Sequence, residues 1–287
     1  MLPNPITERL ARAWPALPIS AITPTVGGFS HHSALVTIGA RRCVLKAAEH
    51  PPRRAALRHE ARVLTLLQGT GLPAPALVGL LDDSDWTIMV MPMLPGASGV
   101  TIYAQPAPVQ RAAVGALARL LASVHQSPLR PPGDTLLLAN RTSQVRAQLA
   151  HHPLGTQLHA ALTASLDHPA WHAGSTSMVH GDAGLHNLLW HPPAPALVDW
   201  EWAGWGNPHL DLAWVWWTLR WRQAPGALWQ AFEQQYHQIV PHPRTPAGAL
   251  RALALGQIAG ILTRVAGQPE AYAEWVRRAA WTLEWDA

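Results

Sequence analysis

The segment from Met178 to Gly204, MVHGDAGLHNLLWHPPAPALVDWEWAG, places two aspartates 17 residues apart with an asparagine between them. Asp182 follows His-Gly, whereas Asp199 ends the apolar run Ala196-Leu197-Val198. Short apolar runs separated by glycine and proline indicate a loop, a strand, a turn and a second strand. Such a hairpin would gather Asp182, Asn187 and Asp199 at one end, where their oxygens can bind cations or accept protons.

The composition of the chain excludes several classes of protein. Its 287 residues are 48% hydrophobic and 13% charged, so we expect a folded chain of one large domain or two ordinary ones. The net charge is +4, but the arginines are scattered, so no nucleic-acid partner is predicted. The single cysteine, Cys43, favours a reducing compartment. The N-terminal pattern, interrupted by Glu8, is not a signal peptide, and no apolar run is long enough to span a membrane, so we expect a cytoplasmic protein with no membrane partner.

One lysine stands apart from the rest of the chain. Of 21 basic residues only Lys46 is a lysine, and it lies near the end of the run RCVLKA. Residues 21–48 alternate as a β-hairpin should, which places Lys46 on its last strand. An ammonium is a compact point charge, whereas guanidinium is a broad planar fork. We therefore interpret Lys46 as a functional residue, in preference to an ordinary exposed one.

The segment RRAALRHEARVLTLLQGTG, residues 53–71, predicts a helix that ends before Gly69 and Gly71. Its apolar stripe includes Leu57, Ala61 and Leu64, and Glu60 falls on the same stripe. A buried carboxylate needs a cationic partner, because an unpaired buried charge costs several kcal/mol or more. The pattern therefore predicts that Glu60 is buried and paired.

The rest of the chain changes character at Gly96. Two further strands, PALVGLL and WTIMVM, are joined by the acidic turn DDSD and lead to MPMLPG, beyond which the patterns are largely helical. We therefore predict an α+β fold with a β-rich lobe over residues 1–95 and a larger helical lobe over residues 96–287. A tryptophan stripe on one helix, Trp214, Trp217 and Trp221, is interpreted as core.

A strand lysine, a helix glutamate and then Asp-x4-Asn followed by a strand-borne aspartate is the order expected of a phosphotransferase. That reaction needs cations on phosphate oxygens, a divalent metal with oxygen ligands, and a carboxylate that takes a proton. The run HGDAGLHN resembles the His-Gly-Asp-x4-Asn loop of the aminoglycoside phosphotransferase and choline kinase family. The run LVDWEWAGWGNPHLDLAW is similar to the second motif of that family, although Asn207 stands where the family usually has aspartate.

The resemblance covers roughly residues 20–220 and implies a two-lobed, protein-kinase-like fold that uses ATP and Mg²⁺. It implies that Asp182 is the catalytic base and that Asn187 and Asp199 hold magnesium. His180 and Asp211 would support the catalytic loop, with Asp211 accepting backbone hydrogen bonds.

The same resemblance assigns the nucleotide site. Lys46, held by Glu60, would contact the α- and β-phosphates. The segment with Gly27, Gly28 and Ser30 would cover the phosphates, although Gly27-Gly28 also fits a plain hairpin turn. Pro92 would offer its carbonyl and Leu94 its N–H to adenine, because proline itself has no N–H.

The expected activity is transfer of the γ-phosphoryl group of ATP to a hydroxyl of a small molecule. The alternatives are a protein-kinase-like enzyme, which Asp-Trp-Glu in place of Asp-Phe-Gly argues against, and a nucleotide-binding pseudoenzyme. A zinc site is disfavoured, because the spacing of His180, His186 and His191 fits no usual ligand pattern. After Gly96 seven acidic residues outside the motifs face 12 arginines, which favours a neutral or singly charged acceptor over a polycation.

Overall fold

The structure is a computed structural model that describes residues 4–24, 31–130, 138–173, 176–241 and 244–285. The chain divides into two compact units. The first comprises Met1–Ser98 and Asn187–Trp202, and the second comprises Gly99–His186 and Ala203–Ala287. The division into lobes over residues 1–95 and 96–287 stays a prediction.

The strands of the described residues are β1 (Ile19–Pro24), β2 (His32–Ile38), β3 (Arg41–Ala48), β4 (Gly79–Asp82), β5 (Thr87–Pro92), β6 (Ala97–Ser98), β7 (Ser177–Val179), β8 (Leu188–Trp190), β9 (Ala196–Leu197) and β10 (Gly204–Gly206). The α-helices are α1 (Asn4–Ala13), α2 (Pro51–Leu67), α3 (Ala107–His125), α4 (Arg141–Leu149), α5 (Thr156–Leu166), α6 (His209–Trp221), α7 (Gly226–Ile239), α8 (Ala247–Arg264) and α9 (Pro269–Leu283).

The first unit contains an antiparallel sheet with the strand order β1-β2-β3-β5-β4. The predicted hairpin is formed by β2 and β3, which turn at Gly39 with φ 60°. The predicted strand PALVGLL is shorter than expected, since β4 begins only at Gly79. The hydrogen bonds begin one residue earlier, since the Val78 N–H donates to the carbonyl of Val90 at 2.9 Å.

The two faces of this sheet have different surroundings. Alternate residues of β3, such as Leu45, are fully buried in a core cluster with Ile6 and Leu10 of α1. Successive strand residues point to opposite faces, so Val44 and Lys46 lie on the other side of β3. One face of the sheet thus packs against α1, and the side chain of Lys46 lies on the opposite face.

Helix α2 begins with Pro51 and Pro52. Backbone N–H groups in the first turn of a helix have no acceptor within the helix, so proline, which lacks an N–H, is tolerated there. The helix ends at Leu67, and Gly69 follows with φ 76°, so the predicted stop is confirmed. The predicted stripe of α2 is buried, and Glu60 within it has no exposed surface.

The predicted second hairpin is present in the first unit. Strands β6, β8 and β9 form a small antiparallel sheet, in which Leu188 pairs with Leu197. Beyond β9 the Val198 N–H donates to the carbonyl of Asn187 at 3.0 Å. The hairpin therefore brings Asn187 next to the residue that precedes Asp199.

The second unit is built from helices α3 to α9 and the antiparallel pair β7 and β10. Helix α6 is its central element, because all ten residues from Leu210 to Leu219 are buried. A helix that is apolar on every side is surrounded by other elements, and α7 and α8 pack against α6. Among the described residues, no helix combines the length and the apolar character that a membrane crossing requires.

Candidate functional site

The first unit holds a partly buried cluster of one ammonium and two carboxylates. Lys46 Nζ donates to both carboxylate oxygens of Glu60, each at 2.8 Å, and to Asp199 Oδ1 at 2.7 Å. Glu60 has no exposed side-chain surface, whereas 37% of the Asp199 side chain is exposed. The structure therefore pairs the lone lysine with the predicted helix glutamate and with the second aspartate of the motif segment.

Burial and charge oppose each other in this cluster. Burial alone lowers the pKa of Lys46, but the carboxylates of Asp199 and Glu60 together hold that pKa above its ordinary value. Burial raises the pKa of Glu60, while the Lys46 ammonium acts in the opposite direction. Lys46 is therefore charged at neutral pH, and burial keeps the pKa of Glu60 above its ordinary value even beside this ammonium.

Asp199 adopts a left-handed backbone conformation with φ 67°. This region is unfavourable for most L-residues and is tolerated best by glycine, asparagine and aspartate. The turn directs the next residue, Trp200, into the core, where its side chain is fully buried. The backbone N–H of Trp200 donates to Glu60 Oε1 at 3.2 Å. Backbone strain of this kind clusters at functional sites.

A cavity of about 370 Å³ opens beside the cluster within the first unit. Its polar lining includes Lys46, Asn187 and Asp199, and its apolar lining includes Leu35, Val44, Met91, Leu189 and Val198. A volume of this size falls within the usual range for small-molecule sites, which combine apolar walls with a few placed polar groups.

The end of β5 forms another wall of this cavity through Pro92, Met93 and Leu94. Met93 donates its N–H to the carbonyl of Arg42 at 2.9 Å, so it belongs to the sheet ladder. Pro92 lies opposite Cys43, one position away, in a pair that forms no backbone hydrogen bonds in an antiparallel ladder. The missing N–H of Pro92 therefore removes no hydrogen bond between β3 and β5. In the part of the chain that the structure describes, the Leu94 N–H has no backbone acceptor.

Two cavity-lining residues were missed from the sequence. His31 Nε2 lies 2.8 Å from Glu201 Oε2, and the side chains are only 5% and 8% exposed. Glu201 belongs to the second motif, and 170 residues separate it from His31, so no local pattern could pair them. Gly27, Gly28 and Ser30, which were predicted to cover phosphates, lie outside the described residues.

The second unit holds Asp182, on the loop that follows β7. Its Oδ1 accepts a hydrogen bond from the indole Nε1 of Trp214 at 2.5 Å and lies 3.1 Å from His186 Nε2. Burial raises the pKa of Asp182, but His186, His180 and Trp214 outweigh it and hold that pKa below its ordinary value. Because an ionised carboxylate only accepts, His186 must donate from Nε2.

Gly184 allows His186 to reach Asp182. A Cβ added at Gly184 would lie 2.5 Å from the Cε1 and Nδ1 atoms of the His186 ring. That distance is shorter than any van der Waals contact allows, so a side chain here would displace the ring. The glycine of the segment Asp-Ala-Gly-Leu-His therefore has a steric function.

Asp211 lies at the start of α6 and has no exposed surface. Its Oδ2 accepts the His180 N–H and its Oδ1 accepts the Gly181 N–H, both at 2.7 Å. His125 Nε2 lies 3.0 Å from Asp211 Oδ2, and His125 Nδ1 lies 2.7 Å from the Tyr236 hydroxyl. Sequence reasoning missed His125 and Tyr236, since they are ordinary residues of amphipathic helices.

Trp214 was interpreted from its spacing as core, and it is 3% exposed. Its ring stacks on Trp217 at a centroid distance of 4.8 Å, as a core residue would. Spacing alone could not reveal that its indole N–H reaches Asp182. Among the described residues no cluster of three or more histidine, cysteine or acidic side chains is arranged to hold a metal ion.

One family model and one well-covered relative identify the family of this chain. The family model described as "Phosphotransferase enzyme family" matches residues 21–253. Thiamine kinase from Shigella boydii serotype 4 (strain Sb227) is 31% identical over 219 residues, which cover 74% of this chain and 72% of that protein. Acyl-CoA dehydrogenase family member 10 of Mus musculus is 28% identical over 182 residues, 56% of this chain, and the match spans 17% of its length.

The fold is shared with solved structures of aminoglycoside phosphotransferase APH(4)-Ia. One superposes with a TM-score of 0.71 at 16% identity, covering 96% of this chain and 97% of that one. A second, a thermostable mutant in a ternary complex with ADP and hygromycin B, gives a TM-score of 0.68 at 17% identity, covering 96% of both chains. The predicted α+β, protein-kinase-like fold class is confirmed. With a family model that matches most of its length and a relative above 30% identity, this chain belongs to the phosphotransferase enzyme family.

Proposed function

We propose that this phosphotransferase moves the γ-phosphoryl group of ATP to a hydroxyl of a small molecule, with Asp182 as the catalytic base. The observation that carries the proposal is the cluster of Lys46, Glu60 and Asp199 on a cavity that also includes Asn187. Phosphoryl transfer needs a placed cation and oxygen ligands for metal, and these four residues supply them.

The donors in the cavity fit ATP and Mg²⁺. Asp199 and Asn187 offer carboxylate and amide oxygens, which are the hard ligands that Mg²⁺ prefers, and they would hold the ion. The apolar walls suit a flat aromatic base, for which Pro92 would offer a carbonyl and Leu94 an N–H. Bound Mg²⁺ neutralises charge on phosphate oxygens. Solved complexes of a related fold with ADP support nucleotide use.

Within the nucleotide site, Lys46 would supply the cation for the α- and β-phosphates. Glu60 fixes its position, because both carboxylate oxygens accept from the same ammonium. The segment with Gly27, Gly28 and Ser30 keeps its proposed role of covering the phosphates. Lys46, Asp182, Asn187 and Asp199 all have the side-chain chemistry that the reaction needs. This argues against the pseudoenzyme alternative.

Asp182 would accept the proton of the attacking hydroxyl. A base must be ionised at the working pH, and the lowered pKa of Asp182 satisfies this requirement. Asp211 would keep the loop in place by binding two successive backbone N–H groups, and His180 would support the loop from within the core, since it has no exposed surface.

The charges of the second unit favour a neutral or singly charged acceptor. Three of its carboxylates outside the motifs already face arginines: Asp167 pairs with Arg146, Glu233 with Arg244, and Glu274 with Arg277 and Arg278. The described carboxylates left over, Glu270 and Glu284, are exposed and sit toward opposite ends of α9. A polycation would need several unpaired carboxylates close together.

Several tryptophans of the second unit have an arginine over the ring. Arg220 lies 4.7 Å from the ring centroid of Trp216, and Arg278 lies 4.4 Å from that of Trp275. These arginines already use the cation–π attraction that a cationic ligand would need. A neutral or singly charged hydroxyl compound therefore remains the favoured acceptor. The thiamine kinase relative makes a singly charged alcohol the acceptor to compare first.

Replacement of Asp182 by asparagine tests the base assignment. The change keeps size and polarity but removes the proton acceptor, so kcat should fall by about 10²–10⁴-fold. The dissociation constant for ATP should be nearly unchanged, as measured by calorimetry. An Asp182→Asn variant that turns over at the wild-type rate would overturn the assignment.

The acceptor class is tested by steady-state kinetics with matched alcohols. Neutral sugars, alcohols with a single positive charge such as thiamine, and a polycationic aminoglycoside would be compared by kcat/KM at fixed ATP. We expect the neutral or singly charged compounds to give the higher values. An aminoglycoside that exceeds all of them would contradict the charge argument without affecting the assignment of Asp182.

A further inference from the structure

The tryptophan of α6 that contacts Asp182 is more than a packing residue. Its Nε1 to Oδ1 distance of 2.5 Å is at the short end for any hydrogen bond, and the acceptor is a carboxylate. Hydrogen bonds to ionised groups are shorter and roughly twice as strong as neutral ones. Packing alone does not require the indole N–H, since a phenylalanine would stack equally well.

The ring of Trp214 belongs to a group of three mutually contacting tryptophan rings. It stacks on Trp217 with an interplanar angle of 15° and on Trp275 of α9 with an angle of 19° and a centroid distance of 6.1 Å. Arg278 covers the Trp275 ring at 4.4 Å. A donor held this firmly defines the orientation of the carboxylate that it binds, because a planar ring cannot follow a rotating acceptor.

We propose that Trp214 is a positioning residue for the catalytic base: its indole N–H fixes the orientation of Asp182 and stabilises the ionised carboxylate. The inference rests on the proposed function for the role of Asp182, but the hydrogen bond itself can be tested without turnover. The titratable groups that face Asp182 from the second unit are His186 and His180. Unlike these histidines, Trp214 carries no charge that changes with pH, so its contribution holds across the working range.

The chain offers a matched control for this inference. Trp217 lies one turn away on the same helix and in the same stack, and its Nε1 donates to Thr282 Oγ1 at 2.8 Å. Trp214→Phe and Trp217→Phe each keep an aromatic ring and remove one buried indole donor. Only the first of these donors contacts Asp182.

We expect Trp214→Phe to lower kcat by about 10-fold to 100-fold with the KM for ATP unchanged, which corresponds to one charge-assisted hydrogen bond. Burial raises the pKa of Asp182 and the Trp214 hydrogen bond lowers it. Without the hydrogen bond the pKa of Asp182 should rise, and the acid limb of the kcat–pH profile should move to higher pH. Trp217→Phe should keep the wild-type acid limb. A Trp214→Phe variant with wild-type kcat and acid limb would overturn the inference.

A second measurement keeps the inference testable if Trp214→Phe does not fold. In protein with ¹⁵N-labelled tryptophan, the Trp214 Nε1–H proton should resonate downfield and move upfield in Asp182→Asn, because an amide oxygen is a weaker acceptor. If no indole signal responds to Asp182→Asn, the hydrogen bond is absent and the inference fails. An active Asp182→Asn variant whose indole signal still moves would instead contradict the proposed function alone.

Discussion

At the scale of single residues, one ammonium group, that of Lys46, links two carboxylates of the candidate site. Lys46 bonds two carboxylates that come from α2 and from the end of the β8–β9 hairpin. Burial disfavours the charges of Lys46 and Glu60, so these two groups depend on each other. The lysine therefore has a structural role in the free protein in addition to its proposed role toward phosphate.

Lys46→Met should destabilise the protein by about 3–5 kcal/mol at pH 8, because it leaves the fully buried Glu60 without a cation. The pKa of Glu60 then rises further above its unfolded value. A group whose folded pKa is raised loses its stabilising contribution as pH rises through that pKa, so the variant should be less stable at pH 8 than at pH 5.5. Urea denaturation at both pH values measures this.

Lys46→Met/Glu60→Gln is the control for this effect, because the neutral amide has no pKa in the range. The double variant should recover part of the stability at pH 8 and lose the pH dependence. Equal stability of Lys46→Met at the two pH values would show that Glu60 does not need the ammonium.

At the scale of secondary-structure elements, helix α6 organises the loop that carries Asp182. Asp211 lies in its first turn, and Trp214 follows three residues later, so both side chains project from neighbouring positions on one face. Asp211 binds the backbone of the loop, whereas Trp214 binds the side chain of Asp182. One helix thus holds both the main chain of the loop and the side chain of the proposed base.

Asp211→Asn should loosen this loop. Each carboxylate oxygen accepts one backbone N–H, at His180 and at Gly181, and an amide has only one oxygen to offer. Hydrogen exchange of these two amides should accelerate by about 10-fold or more, and kcat should fall while the affinity for ATP stays unchanged. Glu233→Gln, an acid of the same unit whose arginine partner is exposed, is the control. Unaltered exchange at both amides would rule out the bracing role.

The end of strand β5 gives a second prediction at this scale. Leu94→Pro removes the proposed adenine donor, and the ladder of β5 should tolerate it because the Leu94 N–H has no backbone acceptor in the described chain. We expect the affinity for ATP to fall about 10-fold, measured by calorimetry, with little change in the unfolding midpoint of the free protein. Leu94→Ala, which keeps the N–H, should bind ATP normally. Normal binding by Leu94→Pro would remove Leu94 from the site.

At the scale of the whole molecule, two compact units each carry part of the proposed chemistry. The first contributes Lys46, Asn187 and Asp199, and the second contributes Asp182. A ligand that binds only the folded state stabilises it in proportion to the logarithm of its concentration over its dissociation constant, by about 2.7 kcal/mol at a hundredfold excess. Nucleotide and metal binding can therefore be followed without turnover.

ATP should raise the unfolding midpoint more in the presence of Mg²⁺ than in the presence of EDTA, because Asp199 and Asn187 would hold the ion. Asp199→Ala should abolish the increment from Mg²⁺, since it removes the charged ligand, and Asn187→Ala should reduce it by less. Differential scanning calorimetry measures both effects. An increment produced by Zn²⁺ and not by Mg²⁺ would contradict the assignment of oxygen ligands.

The sequence by itself determined the features that depend on local patterns. The period of two across β2 and β3 put Lys46 on a strand, the apolar stripe of α2 predicted a buried Glu60, and Gly69 predicted the helix end. Spacing around Asn187 and Asp199 predicted the β8–β9 hairpin. Each of these features depends on residues that are close together in the sequence, so the spacing of apolar residues, glycines and prolines is enough to predict it.

Only the tertiary structure decided which distant residues meet. Trp214 contacts Asp182 across 32 residues, and His31 contacts Glu201 across 170. Helical spacing gave the same interpretation, a core tryptophan, whether or not its N–H reached a carboxylate. The left-handed turn at Asp199 was equally invisible, because its local cost is offset by contacts that packing supplies. Local periodicity fixes which face of an element is apolar, but the atom that a polar group meets depends on how the elements pack.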